Sequence, residues 1–301
     1  MIARGALIDG SRGGRDIPYK IYCPVEQGLK NLPLVVWSHG LGGGAEGAAF
    51  LARFLASQGY IILHVQHRGS DTKLWEGKPG HPWDVIRNTH IPRSASLDRF
   101  RDIPFVLDNL PRLAQEHPEV AEHWDTSRIG MSGHSFGALT TQIMAGQMFP
   151  DETKTLIRMF EGRFRAGILY SPVPVLHHPG STDARVFGPI EMPLFHMTGT
   201  ADENPMGEFG YERRLAVFNE SGASEKHLLV LEGGDHMVFA GSRGGLAENP
   251  RREVHEKIIK GAALAFWDAY LKDDARARDW LTGGGFSKAL AGQGRYEFRT
   301  R

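Results

Sequence analysis

The stretch RIGMSGHSFGALTTQIMAG, residues 128–146, changes its pattern sharply at Gly133. A short, partly apolar run precedes that glycine and reads as a strand; FGALTTQIMAG follows and reads as a helix. Ser135 stands on the corner, between Gly133 and Gly137. Gly-x-Ser-x-Gly at a strand-to-helix turn is the pattern of a tight elbow that lifts a serine hydroxyl above a sheet. The pentapeptide alone is only suggestive, because glycine and serine are common. The rest of the chain must supply a base, an acid and hydrogen-bond donors.

Strand-like and helix-like runs alternate along the 301 residues without a fixed repeat or a Pro/Gly/Ser linker. That alternation predicts an α/β fold with a mostly parallel sheet covered on both faces, organised as one domain over 1–301. GALIDG and RDIPYKIYCP flank the turn-rich GSRGG and read as an antiparallel hairpin. Further strands are expected at 32–37, 60–65, 165–170, 192–197 and 226–232, and helices at 45–59, 102–110, 210–222 and 252–272. In the helix at 102–110, Asp102 is the expected N-cap and Pro104 falls in the first turn. In the last helix, Val254, Ile258, Ala262, Ala265, Phe266 and Ala269 are the expected inner face. Two stretches, 70–95 and 173–191, resist assignment. Their length and aromatic content read as cap-like loops or a substrate wall, with Trp75, Trp83 and Val175 facing substrate and Met237 joining them.

A serine hydroxyl is a weak nucleophile and needs a neighbouring base, a task suited to histidine. On elbow-bearing sheets the triad follows the chain order serine, acid, histidine, each on a loop after a strand. Asp202 in TGTADENP, past the strand MPLFHM, is the best-placed acid. His236 in GGDHMVF, past the strand KHLLVLE, is the best-placed base. Glu203 and Asp235 are the rival acids and read as solvated loop charge, since the acid belongs on the earlier loop. Oxyanion donors are expected from the backbone N–H of Phe136, just after the serine, and of Leu41 in the loop VVWSHGLGGG (35–44).

Other residues take plainer readings. His64 and His67 stand at an odd spacing on a strand, which puts their rings on opposite faces, and His177-His178 has no carboxylate or cysteine nearby. Neither pair reads as a metal site, and no metal or organic cofactor is called for. His134 is expected to pack or hydrogen-bond behind the serine, while Trp37, Val238 and Phe239 read as core. The one cysteine, Cys23, excludes an intrachain disulfide. Lys+Arg and Asp+Glu both total 35, which leaves no charge footprint for nucleic acid or an anionic membrane. No apolar stretch is long enough to span a bilayer, and MIARGALIDG lacks the apolar centre of a secretion signal. The expectation is a cytoplasmic protein; a chain whose leader had been removed would read the same.

SHGLGGG, SQGYIILHVQHRGSD, RDIPFVLDNL and GHSFGA together resemble the α/β-hydrolases grouped around dienelactone hydrolases and platelet-activating factor acetylhydrolases. The resemblance runs from about residue 15 to the last helix. It implies the α/β-hydrolase fold, a triad on Ser135, Asp202 and His236, and oxyanion positions on Leu41 and Phe136, as in the acetylhydrolase branch. Dienelactone hydrolases carry a cysteine nucleophile, and Ser135 departs from that. Secreted polyester hydrolases and cutinases are similar at the elbow, but their signals and disulfides are missing here. The implied activity is serine carboxylic-ester hydrolysis on a small neutral or apolar ester of short to medium acyl chain. Amide, thioester or carbon–carbon substrates, or binding without turnover, are the alternatives. The sequence gives no expectation about oligomeric state.

Overall fold

The computed structural model describes residues 1–301 apart from Gln27, 175–181, Glu208 and 242–248. Eleven strands are present among the described residues. The first five are β1 (Ile2–Asp9), β2 (Arg15–Tyr22), β3 (Leu32–Ser38), β4 (Ile61–Val65) and β5 (Trp124–His134). They are followed by β6 (Met148–Pro150), β7 (Leu156–Arg158), β8 (Phe164–Tyr170), β9 (Leu194–Ala201), β10 (Glu225–Asp235) and β11 (Gly294–Thr300). Nine of them form one sheet in the order β1-β2-β4-β3-β5-β8-β9-β10-β11, and β6 and β7 make a separate small hairpin. The six strands from β4 to β10 in that order run parallel. The strands added at either end are antiparallel.

Every residue of β3 and of β4 is buried, as expected of parallel strands covered on both sides. The two-residue period splits them between two cores. Leu34, Val36, Leu63 and Val65 point to one face, packing with Phe100, Ile103 and Val106 of helix Arg93–Asp108. Val35, Ile62, Ile168 and Phe195 point to the other, packing with Leu51 and Leu55 of helix Ala49–Ser57 and Phe266 and Trp267 of helix Arg252–Leu271. The sheet and its two helical layers form the α/β-hydrolase fold.

Three expectations need correction. The helix expected at 102–110 runs instead from Arg93 to Asp108, so Asp102 is a buried mid-helix residue rather than a cap, and Pro104 lies inside the helix. Asp102 tolerates that burial because Arg12, Arg15 and His67 all reach its carboxylate. The last long helix buries Ala262, Phe266 and Ala269 as expected, with Ile258 and Ala265 packed against the core, but differs at its start: His255 and Ile259 are buried and Val254 is 42% exposed. His255 Nε2 meets the Glu232 carbonyl oxygen at 3.0 Å, which seats the helix start with that histidine inward. Beyond it the chain adds helices Ala275–Thr282 and Gly285–Ala289 before returning as β11, none of which the sequence pattern announced.

The stretch 70–95 is not a bare loop. It holds a 3₁₀ turn at Thr72–Leu74, the helix Pro82–Arg87 and the start of helix Arg93–Asp108. Within 173–191 the described part contains helix Asp183–Phe187; Val175, His177 and His178 lie outside the described residues.

Candidate active site

The elbow after β5 is built by crowding. Ser135 has φ 55° and ψ −114°, a left-handed conformation that side chains rarely adopt, and its N–H donates to the Tyr170 carbonyl oxygen at 2.9 Å. Gly137, two residues on, lies against β3: a β-carbon there would sit 1.8 Å from the Ser38 carbonyl oxygen. At Gly133 a β-carbon would meet the Gly137 carbonyl at 2.4 Å. The two glycines let strand, turn and helix Phe136–Met144 fold onto one another closely enough to hold Ser135 in that conformation.

Asp202 follows β9 directly and is fully buried. Its Oδ2 accepts from the Thr198 hydroxyl at 2.7 Å, and its Oδ1 accepts from His236 Nδ1 at 2.7 Å and is reached by Arg214 Nη2 at 3.1 Å. Burial raises the carboxyl's pKa, but Arg214, His236 and the Thr198 hydroxyl together outweigh it and bring it down to about 2. His236 stands just past β10. An ionised carboxylate can only accept, so Nδ1 carries the imidazole proton and Nε2 is left as an acceptor. Behind it, His134 donates Nε2–H to the His236 carbonyl oxygen at 2.7 Å, with the two rings 4.6 Å apart. Burial, then the neighbouring His236, push the His134 pKa down to about 3, so it serves as a neutral support.

Ser135 and His236 line one cavity of about 890 Å³, together with Leu41, Phe136, Trp75, Trp83, Met237 and Phe209. The structure thus gathers all the described candidates at one place, with Asp202 hydrogen-bonded to His236 beneath the wall. Val238 and Phe239 are buried core, as the sequence suggested, whereas Trp37 is buried and also touches the cavity. Glu203 is exposed. Asp235 is no catalytic neighbour: its Oδ1 accepts from the Met237 and Val238 amides and its Oδ2 from Asn249.

The loop carrying Leu41 is pinned from several sides. The Gly40 carbonyl oxygen accepts from His39 Nδ1 at 2.7 Å and from the Gly43 amide at 3.0 Å. In a trans peptide the C=O and the following N–H point opposite ways, so these bonds turn the Leu41 N–H away from both donors. His39 Nε2 in turn accepts from the His67 amide at 3.0 Å, and Trp75 Nε1 donates to the Gly42 carbonyl oxygen at 2.7 Å.

Sequence reasoning missed a buried network under this loop. Arg99 is fully buried and donates to the hydroxyls of Thr140, Ser70 and Ser38 at 2.8–2.9 Å and to the His39 carbonyl oxygen. Ser38 Oγ lies 3.0 Å from His67 Nε2, and His67 Nδ1 lies 3.0 Å from Asp102 Oδ2. Ser38, His67 and Asp102 therefore repeat a serine–imidazole–carboxylate chain, but each is fully buried. Burial, then the Arg99 charge, lower the His67 pKa to about 4, so its imidazole is neutral. The available signal was the charged stretch DRFRD (98–102), where Arg99 and Asp102 stand three apart on one helix face.

The sequence profile of the family described as platelet-activating factor acetylhydrolase, isoform II, matches residues 6–74, from β1 through the 39–44 loop to the turn after β4. Two proteins named platelet-activating factor acetylhydrolase are similar over more of the chain. The one from Canis lupus familiaris is 23% identical over 271 residues, which covers 78% of this chain and 54% of that protein. The one from Cavia porcellus is 24% identical over 318 residues, covering 92% and 66%. The chain therefore spans between about half and two thirds of the length of these relatives. Among the described residues no helix is long and apolar enough to cross a membrane.

Proposed function

We propose that this protein hydrolyses carboxylic esters through an acyl-enzyme on Ser135. The observation that carries the proposal is the hydrogen bond from His236 Nδ1 to the buried Asp202, which leaves Nε2 free to accept a proton in the cavity that Ser135 also lines. The names of the similar acetylhydrolases support the same bond type. In this reading Ser135 Oγ attacks the ester carbonyl while its proton passes to His236 Nε2. Asp202 holds the imidazole tautomer and stabilises the imidazolium without taking the proton. The N–H groups of Leu41 and Phe136 receive the oxyanion. The imidazolium then gives its proton to the leaving alcohol, and water, activated by the same nitrogen, releases the acid.

The substrate we infer is a small uncharged ester. Each charged side chain on the cavity wall is already satisfied by the protein: Arg68 by Asp16 and Asp71, Lys73 by Glu76, Glu46 by Lys20, and Arg214 by Asp202. The wall therefore offers a charged ester no unpaired opposite charge among these side chains. The remaining wall is largely apolar and aromatic, which suits a short to medium acyl chain packed between Trp75, Trp83 and Met237. We regard the chain as one catalytic unit whose cavity wall is contributed in part by the 70–95 stretch.

The test is hydrolysis of p-nitrophenyl esters from acetate to decanoate by the wild type and by Ser135→Ala. Turnover by the wild type, lowered on the order of 10³–10⁶-fold in the variant, is expected. Two folded proteins that both leave every ester intact would overturn the proposal.

A further inference from the structure

One of the cations on the cavity wall, Arg214, is buried against the acid and the base of the proposed chemistry. Arg214, on helix Tyr211–Glu220, is 2% exposed. Its Nε donates to the Asp202 carbonyl oxygen at 3.1 Å and its Nη1 to the Pro172 carbonyl oxygen at 3.0 Å, with the Ser171 carbonyl oxygen at 3.5 Å. The remaining nitrogen, Nη2, stands 3.1 Å from Asp202 Oδ1 and 3.3 Å from His236 Nδ1. Its charged centre lies 4.9 Å from the centre of the Phe209 ring. One guanidinium therefore ties together the segments that follow β8 and β9 and lies against the one that follows β10.

Its contact with His236 differs from the others. Nδ1 already gives its proton to Asp202 Oδ1, so Arg214 Nη2 and His236 Nδ1 are two donors converging on one oxygen. No hydrogen bond joins them, and a positive charge faces the edge of the imidazole. When His236 accepts the serine proton, the imidazolium meets a carboxylate whose charge is partly committed to a cation. Of the other groups around the ring, His134 is neutral and bonds to the His236 backbone. Asp235 carries its charge towards the Met237 and Val238 amides and Asn249, and that charge is the same in every Arg214 variant. Asp202 and Arg214 are the charged side chains that meet the imidazole Nδ1.

We propose that Arg214 is a positioning residue that fixes the Asp202 carboxylate against His236 and, by its charge, lowers the pH at which His236 becomes available as a base. This rests on the esterase reading above. A like charge beside a titrating group disfavours its charged form, so removing the guanidinium makes the imidazolium easier to form. The neutral imidazole then persists only at higher pH. A residue that merely tied three loops together would alter stability and turnover but not the pH at which activity appears.

The experiment is the pH profile of kcat/KM for p-nitrophenyl acetate with wild type, Arg214→Met and Arg214→Lys, folding being checked by circular dichroism. Arg214→Met is expected to move the acidic limb up by about one pH unit. Arg214→Lys, which keeps a charge but cannot bridge the same carbonyls, is expected to lose turnover while its limb stays within about 0.3 unit of the wild type. If Arg214→Met does not fold, Arg214→Gln, neutral but still a donor, takes its place. A folded neutral variant with an unmoved limb overturns the inference, and so does a lysine variant whose limb moves as far as the expected neutral shift. A wild type inert both to esters and to a serine-directed phosphonate would overturn the esterase reading instead. An active wild type with an unmoved limb in the neutral variant would overturn this inference alone.

Discussion

Gly137 and Ser38 approach so closely that a β-carbon added to the glycine would lie 1.8 Å from the serine's carbonyl oxygen. Both partners are backbone in a strand and a helix start, so neither can step aside. Gly137→Ala is expected to lose about 3 kcal/mol or more of stability, or to fail to fold. Gly261 provides the contrast, since it sits mid-helix with nothing within 4 Å of an added β-carbon. Gly261→Ala is expected to gain about 0.5–1 kcal/mol from helix propensity. Urea midpoints of the two variants should move in opposite directions from the wild type.

Ser135 holds its left-handed backbone in a residue type that resists it. Such a conformation costs on the order of 1–3 kcal/mol, and glycine escapes most of that cost. Ser135→Gly should therefore be inactive yet more resistant to urea by about 1 kcal/mol or more. Ser135→Ala should be equally inactive without a comparable gain, because alanine keeps the β-carbon. Equal urea midpoints for the two variants would contradict stored strain at the elbow.

Six buried histidines make the fold acid-sensitive. Burial is the main cause that holds His39 well below its ordinary value and brings His64, His134, His196 and His227 to about 3 and His67 to about 4. The unfolded chain protonates such residues near pH 6.5, so between that value and about 3 it binds more protons than the native state. Stability should be fully present above about pH 6.5 and fall on the order of 1.4 kcal/mol per pH unit for each histidine below it. The depressed carboxyl of Asp202 acts in a lower window, with its contribution lost only as pH falls from about 4 towards 2. Urea midpoints at pH 7, 6 and 5 should decline steeply over the last unit; equal midpoints would refute neutral burial.

Trp75 joins the cavity wall to the loop at 39–44 through its Nε1 bond to Gly42. Trp75→Phe keeps an aromatic ring in the wall, though a smaller one, and removes that bond, worth about 1 kcal/mol. We expect kcat to fall about five-fold with KM little changed, because the loop is held less firmly where the oxyanion forms.

Trp83 makes no such bond to the loop, and its contribution is volume. Trp83→Ala should shift the preferred p-nitrophenyl ester towards longer acyl chains while leaving a longer substrate's kcat near the wild-type value. An unchanged chain-length profile would remove Trp83 from the acyl wall.

The parts of this fold that speak through local pattern were legible in the sequence. Apolar runs such as LPLVVW and YIILHV mark strands because both faces of the sheet are covered, and Gly133 and Gly137 mark a crowded corner. Asp202 and His236 could be picked out because each follows a strand in chain order. What stayed hidden depends on partners far apart in the chain. Asp102 read as a cap because nothing near it announces Arg15, 87 residues away, or His67, 35 residues away. Nothing local sets Arg214 apart from its neighbour Arg213. Arg213 pairs with Asp183 at the surface, while the helix turns Arg214 inward to a carbonyl 42 residues back. The inner face of helix Arg252–Leu271 was legible at Ala262, Phe266 and Ala269 but not at its start, where polar His255 turns inward to the Glu232 carbonyl oxygen and Val254 faces out.

The sealed chain of Ser38, His67 and Asp102 bears on how this protein would look by magnetic resonance. An imidazole N–H held against a carboxylate gives a proton signal far downfield, and His236 and His67 each hold such a proton. The one on His67 has no solvent around it to exchange with, so it is the one that would stay sharp. The more conspicuous resonance would then belong to the chain that substrate never meets. Its persistence on adding an inhibitor would say nothing about whether the open site had been filled.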